Sequence, residues 1–306
     1  MDLTMRLTKS AFLPKGKTWQ FEAIGTHWQI DIVLDETKIH SLQVSIVNRI
    51  EQFDRSYSRF RSDSLVHAMS TQAGIYTLPE DAQKMMHLYE TMYKLSGGNV
   101  TPLIGRALEE AGYTASYSLQ PQKIHTPESW EKSIEYHHPQ LLVKQPSLLD
   151  FGAAGKGYLV DIISEMIAAA GALAYCVDGG GDMFYFNTET TNLPVGLEDP
   201  LDDSRAIGIV SLHNKAICGS AGNKRQWRTY HHILDPRTLK SPDHIQAIWA
   251  VADSALIADG MTTCLYFMEP EKLTHYFDFE YLIVYKDGTF AQSARLPVEL
   301  FAEVRI

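Results

Sequence analysis

The sequence predicts an α+β fold, and three features predict it. Short runs with an apolar residue at every second position recur along the chain, as strands resting one face on a core require. Longer runs with apolar residues three or four apart stand between them, as amphipathic helices require. The two kinds follow no regular strand-helix-strand succession, which favours α+β over a doubly wound parallel sheet. The chain has 306 residues, 45% hydrophobic and 21% charged, enough to bury a core in one large domain or two.

From Trp19 to Leu34 the alternation of Phe21 and Ala23, then Trp28, Ile30, Ile32 and Leu34, predicts two strands joined through Gly25 and Thr26. Leu42, Ile46, Ile50 and Phe53 at helical spacing predict a helix from about Ile39 to Phe53. Asp54 to Ser64 reads as an irregular loop carrying Arg55, Arg59 and Arg61, the best basic segment in the chain. Glu80 to Leu95 reads as a helix ended by Gly97 and Gly98, and Pro102 to Ala111 as a short one closed by Gly112. Ser116 to Gln145, with Pro121, Pro127 and Pro139, reads as strand fragments and loops. A helix from Lys156 to Ala170, stopped by Gly171, precedes a buried strand from Ala172 to Val177. Short strands are expected at Met183 to Phe186, Leu193 to Leu197, Ala206 to Leu212 and Ala216 to Cys218. Ile248 to Ala252 reads as a strand, Ser254 to Tyr266 as a helix, and Tyr281 to Ser293 as a hairpin about Asp287 and Gly288.

The formal net charge of −10 argues against broad binding to nucleic acid or anionic lipid, so an anionic ligand would need a local positive device. Cys176, Cys218 and Cys264 are widely spaced and read as core thiols. Met1 to Lys17 contains no secretory apolar run, no cysteine for a lipid anchor follows, and no stretch of about 18 apolar residues occurs. A cytoplasmic protein without membrane insertion is the expectation.

Five stretches carry candidate chemistry. Asp259 and Thr263, four apart on a helix, can share one hard cation, Mg²⁺ by preference; the alternative is a helix-surface Asp with a core Thr. Gly152, Gly155 and Gly157 lie within six residues at a helix start, where bare backbone and Lys156 can meet a phosphate; the alternative is a tight strand-to-helix turn. His231 and His232 precede Asp235 and Pro236, and His232 can handle a proton or contact a charged ligand, or be structural. Asp178 and Asp182 flank three glycines, and Tyr57, Arg59 and Arg61 either close over a ring or phosphate or belong to a solvated loop.

Taken in order, eight segments resemble the ApbE family of FAD:protein FMN transferases, from about Phe21 to Met268. They are Ala23-Ile24-Gly25-Thr26, Ser58 to Ser64, Gly98-Asn99-Val100-Thr101-Pro102-Leu103, Leu149 to Asp161, Gly180-Gly181-Asp182, Val195 to Pro200, His232 to Thr238, and Asp259-Gly260-Met261-Thr262-Thr263. The resemblance implies a single domain over 19–306, of mixed or antiparallel sheet with flanking helices, after an N-terminal extension at 1–18. It implies FAD as substrate, Mg²⁺, and transfer of FMN to a Thr or Ser hydroxyl of a target flavoprotein with release of AMP. The metal would rest on Asp259, Thr263 and the Gly155 carbonyl. The flavin dinucleotide would lie against Tyr57, Arg59, Gly152, Lys156, Asp161, Gly180, Asp182 and His232, with His232 and Asp259 catalytic. Asp259→Ala is expected to abolish turnover at little cost in stability.

The chain departs from the family pattern in places. Ile24 stands for Met, Ser70 for Asn, Gly155 for Ala, and Ala221-Gly222-Asn223 for Ser-Gly-Asp or Ser-Gly-Asn. Leu239 replaces a glycine, so its turn is expected to take another shape. An FAD pyrophosphatase giving FMN and AMP, or an FAD-binding protein without catalysis, are the alternative readings.

Overall fold

The computed structural model describes residues 12–13, 16–222 and 225–301, so most of the expected N-terminal extension lies outside the described residues. Strands β1 (Lys17–Ala23) and β2 (Thr26–Val33) form the first hairpin, and its tight turn holds Ile24 and Gly25 at positive φ. Helix α1 (Glu36–Tyr57) is longer than its apolar spacing indicates. Asp35 caps it by accepting from the Thr37 amide at 2.9 Å, and the helix runs into the segment expected to be irregular. Ser64 starts a helix not anticipated, α2 (Leu65–Thr71), by accepting from the His67 amide at 3.0 Å.

After β3 (Gly74–Thr77) comes α3 (Ala82–Leu95), stopped by Gly97 and Gly98 at φ 60° and 95°. A 3-10 turn at Pro102–Ile104 leads into α4 (Gly105–Glu110). The stretch rich in proline contains the short α5 (Trp130–Ser133), β4 (Ile134–His137) and β5 (Gln140–Val143). Then follow α6 (Gly155–Ala169), β6 (Ala174–Gly179), β7 (Met183–Asn187), β8 (Leu193–Asp199), β9 (Asp202–Leu212) and β10 (Lys215–Ala221). Two-residue strands β11 (Gln226–Trp227) and β12 (Tyr230–His231) precede β13 (Ile245–Ala252) and α7 (Ala255–Cys264). The described chain ends through α8 (Pro270–Thr274), β14 (Phe279–Tyr285), β15 (Phe290–Gln292) and β16 (Val298–Leu300).

Among the described residues the main sheet has eight strands in the order β1-β2-β6-β7-β10-β13-β14-β15, and all its pairings are antiparallel. It is a middle layer. Along β6, Tyr175 and Val177 join the core shared with α1, α3, α6 and α7, while Ala174 and Cys176 join a second core under β8 and β9. That period of two explains why β6 reads as continuously apolar. Leu159, Ile163 and Ile167 of α6 are wholly buried, each worth about 1.5–3 kcal/mol, and they fix α6 against the sheet. The three cysteines are buried free thiols, as their spacing suggests. Among the described residues no helix is long and apolar enough to cross a membrane.

Candidate functional site

The site begins where α6 and α7 cross. An ideal Cβ on Gly157 would lie 2.1 Å from the Ala255 carbonyl oxygen and 2.6 Å from Asp259 Cβ, so glycine alone allows this approach. The Gly157 amide, an unpaired donor of the first turn of α6, donates to Asp259 Oδ2 at 2.8 Å. One turn further, Asp161 accepts from the Ala255 and Leu256 amides at 2.7 and 2.9 Å and from Ser254 Oγ at 2.6 Å. Asp161 therefore closes the first turn of α7. It was expected beside the nucleotide, but its carboxylate is spent on this cap and it does not line the cleft described next.

That cleft, of about 230 Å³, is lined by Asp150, Gly152, Ala153, Lys156, Asp259, Thr262 and Thr263. Gly180, Gly219, Ser220, Ala221, Arg225 and His232 line it too, with Phe60, Asn99, Thr101 and Tyr113. The fold thus brings together six of the residues singled out in the sequence: Gly152, Lys156, Gly180, His232, Asp259 and Thr263.

Asp259 is only 7% exposed, which speaks against the alternative of a helix-surface carboxylate. Burial raises its pKa, opposed by the Lys156 charge and the Gly157 amide. Thr263 Oγ1 lies 3.4 Å from the carbonyl oxygen of Ala153. The Ala153 carbonyl is thus within reach of the Thr263 hydroxyl, and Gly155 opens α6 two residues later. Among the described residues no group of three or more His, Cys, Asp or Glu is placed to hold a metal ion. A cation here would rest on one carboxylate and neutral oxygens, a donor set suited to a hard ion.

Lys156 is ion-paired with Asp182, which is fully buried and whose Oδ1 has no hydrogen-bond partner among the described residues. Asp182 thus pairs with Lys156 and does not line the cleft. At the preceding turn, Asp178 Oδ1 accepts from the Gly181 amide at 2.7 Å.

Tyr57 and Arg59 are also not cleft walls. Tyr57 lies in the core with Phe53 and Phe151, ring centroids 4.8 and 5.5 Å away. Its place follows from Ile46, Ile50 and Phe53, whose spacing it continues. Arg59 is buried behind the wall, its Nε donating to Asp150 Oδ2 at 2.5 Å and its Nη1 to the Tyr113 carbonyl at 2.8 Å. The guanidinium lies over the Phe60 and Tyr113 rings at 4.1 and 4.8 Å. Asp150, with its other oxygen, accepts from the Gly152 amide at 2.7 Å and shapes the glycine turn. Arg55 and Arg61 are neutralised by Glu51, Asp54 and Asp63, so the basic segment offers little free charge.

The two histidines divide. His231 Nε2 donates to the Pro242 carbonyl at 2.8 Å and its Nδ1 accepts from the Ile233 amide at 3.3 Å, a structural role. His232 has an enclosed Nδ1 with no partner among the described residues. Burial, then the charges of Arg225, His231 and Lys156, push its pKa down to about 3, so the ring is neutral.

Leu239 takes φ 58°, a left-handed conformation that glycine adopts without strain. Asp235 pins the turn there by accepting from the Arg237 amide at 2.8 Å. Ser70 donates to the His67 carbonyl at 2.7 Å and does not line the cleft; Asn223 lies outside the described residues. Sequence reasoning missed Asp150, Tyr113, Arg225 and Asn99 as cleft residues. Asn99, whose Oδ1 is enclosed without a partner among the described residues, stood in a quoted motif; Arg225 stood in none.

The model of the ApbE family matches residues 24–283 of this chain. An FAD:protein FMN transferase of Klebsiella pneumoniae (strain 342) is 24% identical over 280 residues, 84% of this chain and 78% of that protein. One of Treponema pallidum (strain Nichols) is 23% identical over 266 residues, 77% of this chain and 73% of that protein. Among solved structures, the ApbE protein of Thermotoga maritima superposes with a TM-score of 0.79 at 20% identity, over 92% of this chain and 97% of that one. The flavin transferase ApbE of Vibrio cholerae superposes with a TM-score of 0.75 at 18% identity, over 92% and 97%.

Proposed function

This chain belongs to the ApbE family, and from that membership we propose that it transfers the FMN moiety of FAD to a Thr or Ser hydroxyl of a target flavoprotein, releasing AMP. The observation that carries the reading is the convergence of Lys156, the oxygens of Asp259, Thr263 and Ala153, and the neutral ring of His232 on one cleft.

The oxygen donors fit Mg²⁺. Asp259 Oδ2 is held by the Gly157 amide, and Thr263 and Ala153 offer a hydroxyl and a carbonyl within reach of each other. When bound there, Mg²⁺ supplies Lewis acidity toward a diphosphate oxygen. The chain's own residues bind and orient. Lys156 lines the cleft with its charge balanced by Asp182, and the bare backbone at Gly152 and Gly180 lets the ligand approach closely.

In the transfer, the acceptor oxygen bonds to the flavin-side phosphorus, the bond from that phosphorus to the bridging oxygen breaks, and AMP departs. The hydroxyl proton passes to His232, which is available because it is neutral and its Nδ1 is unpartnered. A diphosphate beside it raises its proton affinity, countering the nearby cations that depress it.

Incubation with FAD, Mg²⁺ and a candidate flavoprotein should raise the acceptor's mass by one FMN. An unchanged acceptor mass with FAD cleaved to FMN and AMP would assign hydrolysis instead, and intact bound FAD would remove the catalytic reading.

A further inference from the structure

We propose that Arg225 is the cation left free in the cleft to grip the diphosphate of the dinucleotide. The inference rests on the flavin reading above and adds a substrate contact to it.

Charge pairing singles this residue out. Arg59 is committed to Asp150, and Lys156 to Asp182. Arg225 lines the same cleft, yet among the described residues it makes no ion pair, and its hydrogen bond is from Nη1 to Tyr113 Oη at 3.3 Å. An exposed guanidinium that finds no carboxylate is notable in a chain of net charge −10.

Its place is held from beside it. Trp227, two residues on, is buried and donates from Nε1 to the Ala111 carbonyl at 2.7 Å, with its ring 5.6 Å from that of Tyr113. Trp227 thereby anchors β11, and Arg225, which directly precedes it, stands on the cleft side with Tyr113. A guanidinium presents a planar fork of donors that matches phosphate oxygens in pairs, which a lysine cannot do. With Lys156 already partnered, this fork is the uncommitted positive group that an acidic protein needs for an anionic substrate.

The test is FAD binding by wild type, Arg225→Lys and Arg225→Gln in the presence of Mg²⁺, at low and high salt, with thermal melting to confirm folding. Arg225→Gln should weaken FAD on the order of 10-fold to 100-fold at low salt, as expected for losing a charge-assisted hydrogen bond, with the gap narrowing at high salt. Arg225→Lys should fall between, keeping the charge and losing the fork. Equal affinity of Arg225→Gln and wild type would overturn the proposal, as would Lys and Gln variants that lose equally. Wild type that binds no FAD would instead remove the flavin reading, and this inference with it.

Discussion

The backbone of Gly157 and the side chain of Asp259 meet across the crossing of α6 and α7, at 2.8 Å from amide to carboxylate, with no room for a methyl group between the helices. Gly157→Ala should therefore force the helices apart, at a cost of about 1–3 kcal/mol or more. Urea unfolding and FAD binding should fall together. Unchanged stability would mean that the crossing is looser than its geometry.

Asp259 separates a structural role from a chemical one. Its pKa is raised by burial, so its charge is a cost to the fold above that pKa and the cost disappears as pH falls through it. Asp259→Asn keeps an oxygen for the Gly157 amide and removes the charge, so it should match or exceed wild-type stability near neutral pH while losing turnover. Asp259→Ala leaves that buried amide unpaired and should cost about 1–3 kcal/mol as well. Calorimetry and the transfer assay on both variants test this; an active Asn variant would argue against a cation on this carboxylate.

Acid should weaken the fold through the histidine pair. Both pKa values are lowered in the native state, that of His232 to about 3, from an ordinary 6.5. As pH falls from about 6.5 toward 3, the unfolded chain takes a proton at His232 that the native state refuses, so stability drops by at most about 1.4 kcal/mol per pH unit for this group. His232→Asn should flatten that slope in urea unfolding at a series of pH values. A variant with the wild-type slope would place the acid sensitivity elsewhere.

Leu239 carries a left-handed conformation that costs a non-glycine residue about 1–2 kcal/mol. Leu239→Gly should relieve it, partly offset by about 0.5–1 kcal/mol of chain entropy, and so be neutral or mildly stabilising where Leu to Gly normally destabilises. Thermal melting decides the sign, and a clear loss would mean that the leucine's packing outweighs the strain.

Much of this architecture was legible in the chain. Alternation marked β1, β2 and the strands of the main sheet, and Gly97, Gly112 and Gly171 marked helix ends, because these signals are local. Asp161, five residues from Lys156 on α6, points about 140° away from it, whereas Gly157 and Asp161 share a face, so helical phase already separates Asp161 from Lys156. Tyr57 was a core position by the same rule. The pairing of Arg59 with Asp150, 91 residues away, and the burial of Asp259 depend on tertiary contacts that no local pattern records.

The two attachments between α6 and α7, at Gly157 and at Asp161, make a fixed gauge of the site's centre. Lys156 and Asp259 ride on one body, so the spacing between the ammonium and the oxygen donors is indifferent to what happens in surrounding loops. Phe60 and Ala221, which line the cleft from other segments of the chain, can then be exchanged to admit a different recipient without recalibrating the chemistry.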